Sequence, residues 1–348
     1  MRTTGVLPLK AAAIFPLVAG LARALGAEPC NGHAELCGRA YSNVSYACTH
    51  NAYSYPPPSV LPVLNQERTI AEQLGDGVRA LMLDVVRPGP DAGASGGGGG
   101  SIVDKVLSWF SAAPKSGDLL DAVHLCHQSC ALIDKGRLSD ALTAIREFLD
   151  ANPREVVTII FENVSGFSAQ ELRPSFEAAG ADKYAFVPGF APTDAHSGYP
   201  WPTLEQMIAQ GQRLVVFIDE NADPAQVPYI LPEWEYVVET PYANIVPVAQ
   251  FPCNQDRPRD GVSRDLVVMN HFAYNRATIG SENIDTPLTA AQAREHGYNS
   301  IDALTAHAET CAAVWGPHRI MNFITLDYYD IGDGAIFQLV DRINGISA

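Results

Sequence analysis

Continuous apolar runs recur along the chain, each stopping abruptly in a polar residue, and this restricts the fold more than any other feature. Val156-Val157-Thr158-Ile159-Ile160-Phe161 is the clearest. A strand covered on one face alternates apolar and polar residues, whereas an unbroken run requires cover on both faces, as in a parallel sheet wrapped by helices. Eight segments are predicted as strands: Val44–Thr49, Val78–Val85, Ala122–Cys126, Val156–Phe161, Leu214–Ile218, Tyr236–Val238, Leu266–Met269 and Asn322–Leu326. Helical patterns lie between most of them. Over Ser139–Asp150, Leu142, Ile145, Phe148 and Leu149 share one side, and Asn152-Pro153 supplies the stop. Eight strand–helix units in about 320 residues match an α/β fold of (β/α)8 TIM-barrel type with loop insertions, with an open doubly wound sheet as the alternative.

Asp and Glu outnumber Lys and Arg by 39 to 23, a formal charge of -16. Such a surface repels phosphate backbones, which argues against nucleic acid as a partner. The start is Met1-Arg2-Thr3, then a mostly apolar stretch from Leu7 to Leu25 with small residues at its end. It reads as a secretory signal peptide over residues 1–26, so the protein is expected outside the cell. Residues 27–348 are then expected to form a single, monomeric domain. Within 88–117 lies a Gly-rich flexible insertion, Ser95-Gly96-Gly97-Gly98-Gly99-Gly100-Ser101, and no Lys-Ser/Thr follows it to make a phosphate loop.

Seven cysteines in an oxidising compartment pair by default and leave one over. The expected scheme joins Cys30 to Cys37, Cys126 to Cys130 and Cys253 to Cys311, with Cys48 reduced inside an apolar strand. A zinc site at Cys126, His127 and Cys130 is the competing reading of that cluster. Of two glycosylation sequons, Asn43-Val44-Ser45 and Asn163-Val164-Ser165, only Asn43 is expected to carry glycan, because Asn163 adjoins the end of a strand.

Catalytic groups of a (β/α)8 barrel come from the C-terminal ends of its strands. Here the runs end, in order, in His50-Asn51, Asp84, His127, Glu162-Asn163, Asp219-Glu220, Glu239, Asn270-His271 and Asp327. Singly, each is an ordinary turn or capping residue. Together they describe an acidic mouth holding two or three histidines. Converging carboxylates and an amide are hard ligands, suited to Ca2+ over Mg2+ and to either over zinc. Two imidazoles beside such a cation suit phosphoryl transfer, one taking a proton and the other giving one. A glycosidase would use Glu162 and Glu239 and leave the histidines idle.

The segment Thr49-His50-Asn51-Ala52-Tyr53, with Asn65-Gln66, Ile70, Gln73-Leu74, Gly77-Val78-Arg79 and Leu83-Asp84, resembles the X-domain of phosphatidylinositol-specific phospholipases C. Leu125-Cys126-His127 and Ile160-Phe161-Glu162-Asn163 continue it in order, and the later segments are similar to secreted, fungal-type members of the phospholipase C-like phosphodiesterase superfamily. The resemblance implies His50 and His127 as the catalytic pair, and a divalent cation on Asn51, Asp84 and Glu162. Asp219, Glu239 and Asp327 are expected around the substrate. Met82 stands where the metal-dependent branch has a glutamate, and Val86 where the metal-free branch has an arginine. The implied substrate is a phosphodiester lipid or soluble phosphodiester, with peripheral membrane contact. A catalytically weak binding module and a metal-free phosphodiesterase are the alternatives.

Overall fold

The computed structural model describes residues 28–56, 64–89, 119–127, 130, 134–189, 198–279, 282–316 and 318–346. The expected signal peptide, and all but the first two residues of the Gly-rich insertion, lie outside them. The strands are β1 (Tyr46–Thr49), β2 (Ala80–Val86), β3 (His124–Cys126), β4 (Asp134–Arg137), β5 (Val157–Glu162), β6 (Leu214–Ile218), β7 (Ile230–Pro232), β8 (Val237–Glu239), β9 (Leu266–Asn270), β10 (Tyr274–Ile279), β11 (Glu282–Pro287) and β12 (Phe323–Leu326). The α-helices are α1 (Ile70–Asp76), α2 (Leu138–Ala151), α3 (Ala169–Ala179), α4 (Leu204–Gln210), α5 (Glu233–Tyr236), α6 (Ala290–His296), α7 (Ile301–Trp315) and α8 (Ala335–Ile343).

Eight strands run parallel in the order β7-β6-β5-β2-β1-β12-β9-β8, a sheet curled into a barrel with one unpaired seam between β7 and β8. Its two faces sort the apolar runs by alternate residues, as a period of two requires. Cys48, Ala80, Met82, Ile160, Val215, Phe217, Leu231, Val268 and Phe323 fill the interior. Ala47, Leu81, Leu83, Ile159, Phe161, Val216, Ile218, Val267 and Ile324 pack outward with the helices. At the bottom, Trp201 packs against Tyr41, and the Tyr41 hydroxyl shares a 2.6 Å hydrogen bond with Thr158.

The seam has a covalent cause. Direct parallel pairing needs a crossover of a dozen or more residues, and β7 reaches β8 through the four residues of α5. The free edge of β8 is covered instead by a loop, with the Glu239 N–H donating to the Arg257 carbonyl and the Asp256 N–H donating to the Glu239 carbonyl, both at 2.8 Å.

One strand expectation needs correction, and one barrel strand was not expected. Ala122–Cys126 is not a barrel strand: β3 lies antiparallel on β2, with Val85 opposite Leu125, and forms a hairpin with β4. The eighth barrel strand is β7, whose three residues end in a proline. The disulfides are Cys30–Cys37, Cys126–Cys130 and Cys253–Cys311, and Cys48 is a buried free thiol. Among the described residues no helix is long and apolar enough to cross a membrane.

Candidate active site

The inward phase of the barrel changes character at one level. Two residues beyond Cys48, Met82, Ile160, Phe217, Leu231, Val237, Val268 and Thr325 stand His50, Asp84, Glu162, Asp219, Glu233, Glu239, Asn270 and Asp327, one for each barrel strand. All of these except Asp327 line a cavity of about 700 Å3. Glu233 takes the place in this ring that the sequence assigned to His127.

His50 follows β1 directly. Its Nδ1 lies 2.8 Å from Asp327 Oδ1, and Asn65 donates to the same oxygen at 3.0 Å. The ring is stacked on Phe272, centroids 3.9 Å apart and planes 4° apart. A carboxylate accepts only, so Nδ1 carries the proton and Nε2 is left to react.

His127 hangs over the mouth from the β3–β4 hairpin, flanked by the Cys126–Cys130 disulfide. That bond takes both sulfurs, so the zinc reading of this cluster has no thiolate to use. His127 Nδ1 lies 3.4 Å from Asp84 Oδ2, and Tyr53 donates its hydroxyl to the same oxygen at 2.8 Å. Burial alone would lower the imidazole pKa, but the Asp84 hydrogen bond and the charges of Asp84, Glu162 and Asp327 outweigh it and raise His127 above its ordinary value. His271, by contrast, faces away from the mouth and pairs with His307, so the mouth holds two imidazoles from the predicted set.

Asn51, at φ 45°, links the two halves. One orientation of its amide donates to Asp84 at 2.9 and 3.3 Å and turns its oxygen to His127 Nδ1 at 3.0 Å and to His50 Nε2 at 3.3 Å, accepting from the latter only when that imidazole is protonated on both nitrogens. In the other, Nδ2 lies 3.0 Å from His127 Nδ1, and the amide oxygen faces the Asp84 carboxylate with no proton between them. A cation between the oxygens would relieve that second arrangement, and turning the amide relieves it without one.

Glu162 sits beside Asp84 in register on the adjacent strand. It meets cavity water but is enclosed by protein, and that enclosure together with the Asp84 and Asp219 charges pushes its carboxyl up to about 8 against the pull of Arg257 and His127. Burial also raises Asp219 to about 6, although its carboxylate accepts from the Asn163 N–H at 2.9 Å. Glu239 is held by Arg257 through Nε at 3.0 Å and Nη2 at 2.6 Å, so it is not free to act as a glycosidase carboxylate. Arg87 turns outward to Glu171 at 3.0 Å.

Three contributors escaped the sequence reading. Glu233 follows a run broken by Pro232, Phe272 follows the end of β9, and Arg257 comes from a loop with no periodicity; only Glu233 had a signal, its place two residues after Leu231. Asn43 is exposed below the barrel, whereas Asn163 is buried and donates to the carbonyls of Phe167 and Glu220.

A family model described as PI-PLC X 1 matches residues 110–341. A PI-PLC X domain-containing protein 1 of Arthroderma benhamiae is 30% identical over 321 residues, covering 91% of this chain and 90% of that protein. An uncharacterized secreted protein of the same fungus is 28% identical, covering 92% of this chain, which spans 65% of that relative's length. Among solved structures, the phosphatidylinositol-specific phospholipase C of Listeria monocytogenes matches with a TM-score of 0.51 and 12% identity over 92% of this chain and 97% of that one, a likeness of fold.

Proposed function

The chain belongs to the PI-PLC X family, and from that premise we propose that it is a secreted phospholipase C-type phosphodiesterase whose acid–base pair is His50 and His127. One observation carries the reading: both imidazoles are backed at Nδ1 by a carboxylate and meet at a single amide, Asn51. His50 Nε2 takes the proton of a substrate hydroxyl adjacent to the phosphodiester, that oxygen attacks phosphorus, and His127 protonates the departing alcohol. A cyclic phosphate results. Tethering the nucleophile to its target supplies proximity, and among the described residues that line the mouth there is no serine or cysteine.

Asn51, Asp84 and Glu162 fit a hard cation, Ca2+ in preference to Mg2+, because one Asn51 orientation turns its oxygen to the Asp84 carboxylate, and Glu162 stands beside Asp84 on the next strand among like charges. When bound, the cation offsets charge growing on the phosphate oxygens. With Met82 in the fourth place, affinity is expected on the order of 10⁻⁴ to 10⁻³ M. The buried acceptors Glu233 Oε1 and Asn270 Oδ1 have no protein donor and favour a hydroxyl-rich headgroup such as phosphatidylinositol, met at a membrane surface.

Incubation with phosphatidylinositol vesicles, read by phosphorus NMR, tests the proposal. A cyclic phosphate is expected first, with His50→Ala and His127→Ala each lowering turnover by roughly 10²-fold or more, and chelation lowering it until Ca2+ is restored. A linear monophosphate at the earliest times would make water the nucleophile and overturn the mechanism. Folded protein that binds the vesicles without turnover would identify the binding-module alternative that Met82 keeps open.

A further inference from the structure

Away from the mouth, two cysteines and two histidines meet in the core beneath α7. Cys253, on the loop after β8, is joined to Cys311 of α7, and His307 stands one helical turn before Cys311. All three are buried, and the two sulfurs and a ring nitrogen of His307 lie within 4.8 Å of one another. His271 Nε2 lies 2.9 Å from the Tyr298 carbonyl, and His271 Nδ1 lies 2.9 Å from His307 Nδ1.

These contacts fix the tautomers. A carbonyl only accepts, so His271 carries its proton on Nε2. Burial lowers both imidazoles, His271 to about 4 and His307 to about 3, with each neutral near pH 7. His271 Nδ1 is therefore a bare acceptor, and His307 must donate from its own Nδ1. His307 Nε2 is left as a buried lone pair, and no donor reaches it. A ring nitrogen of His307 lies within 4.8 Å of both sulfurs, and the ring also approaches the Pro252 carbonyl, so His307 is a candidate metal ligand with His271 as the outer partner that sets its tautomer.

We propose that, once the Cys253–Cys311 bond is opened, Cys253, Cys311 and His307 bind one Zn2+, so that the same cross-link exists in a disulfide and a zinc form. A dithiol reductant supplies two electrons: the S–S bond breaks, two thiols form, and the reductant closes to its own disulfide. Zn2+ then displaces both thiol protons to water, leaving its fourth position to a water molecule. Zinc–sulfur and zinc–nitrogen bonds of about 2.3 and about 2.0 Å hold tetrahedral ligands about 4 Å apart, so the two sulfurs must separate by about 2 Å once their bond is opened. Cys253 lies four residues before Arg257, so the zinc form anchors to α7 the loop that lines the mouth.

The test uses the full-length secreted protein, reduced with a water-soluble phosphine, exchanged free of metal and titrated with Co2+. The expected result is one equivalent bound with the intense visible bands of tetrahedral thiolate coordination, displaced by Zn2+ and absent from unreduced protein. Reduction also frees the thiols of two further clusters, Cys30 and Cys37 with Glu205 and Cys126 with His124 and Asp134, so alkylation followed by mass spectrometry assigns the site. Zn2+ should protect Cys253 and Cys311. His307→Ala should weaken Zn2+ binding at least tenfold, and His271→Ala by about 10- to 100-fold. Weak octahedral bands, protection confined to Cys30 and Cys37 or to Cys126 and Cys130, or unchanged affinity in His307→Ala would each overturn the proposal; if that variant does not fold, the protection pattern of the unaltered chain decides.

Discussion

His50 and His127 are held by unlike means. His50 shares Asp327 only with the Asn65 amide, whereas His127 shares Asp84 with Tyr53 and Asn51. Asp327→Asn keeps the shape but offers an amide where a carboxylate stood, freeing the imidazole to protonate on Nε2, the nitrogen that must accept. Turnover should fall by about 10²-fold with little change in KM or in the denaturation midpoint; an equal loss of stability would make the pair structural. Asp219 makes the opposite kind of prediction. Its folded pKa of about 6 exceeds the ordinary 3.8, so the folded state binds the proton more tightly, and stability declines as pH rises from about 4 to about 6 and stays reduced above. Asp219→Asn should therefore stabilise the protein at pH 7 by about 1–3 kcal/mol and do nothing at pH 3.5, as read from denaturant midpoints. Equal effects at both pH values would mean that the charge is not the cause.

Helix α2 ends on a buried side chain from another strand's approach. Arg213 donates to the carbonyls of Leu149 at 2.9 Å, Asn152 at 2.9 Å and Glu155 at 3.2 Å, and lies over the Tyr184 ring. Arg213→Met would fill the space and orphan these carbonyls, at a cost of about 2–4 kcal/mol; an unchanged urea midpoint would contradict the role. The barrel strands were legible because two-sided burial leaves unbroken apolar runs. Ala122–Cys126 misled because strand-forming residues do not reveal direction, and only the antiparallel register on β2 shows that it belongs to a hairpin. Thr69 with Glu72, Ser168 with Glu171, Thr203 with Gln206 and Thr289 with Gln292 are capping boxes, each helix ending at a glycine of positive φ. That signal was present in the sequence and would have fixed four helices. Arg257 had no such signal, since its place depends on an edge left free by a connection elsewhere.

The seam between β7 and β8 is the one place where the barrel is held without a ladder. Loop backbone and the Arg257–Glu239 pair cover it, so amides of β8 should exchange with deuterium sooner than those of β2 and β5, which share five register pairs. Uniform protection around the barrel would mean that the loop seals the edge as well as a strand does. A closed ring resists widening everywhere, whereas a split ring yields at its cut. A headgroup too broad for the mouth would be admitted by spreading there, at the expense of one ion pair and a few loop hydrogen bonds, and the opposite wall carrying Asp84 and Glu162 would keep its spacing. Tolerance of substrate size would then be set by the loop and the spacing of the reacting groups by the sheet, so that one can vary between relatives while the other stays fixed.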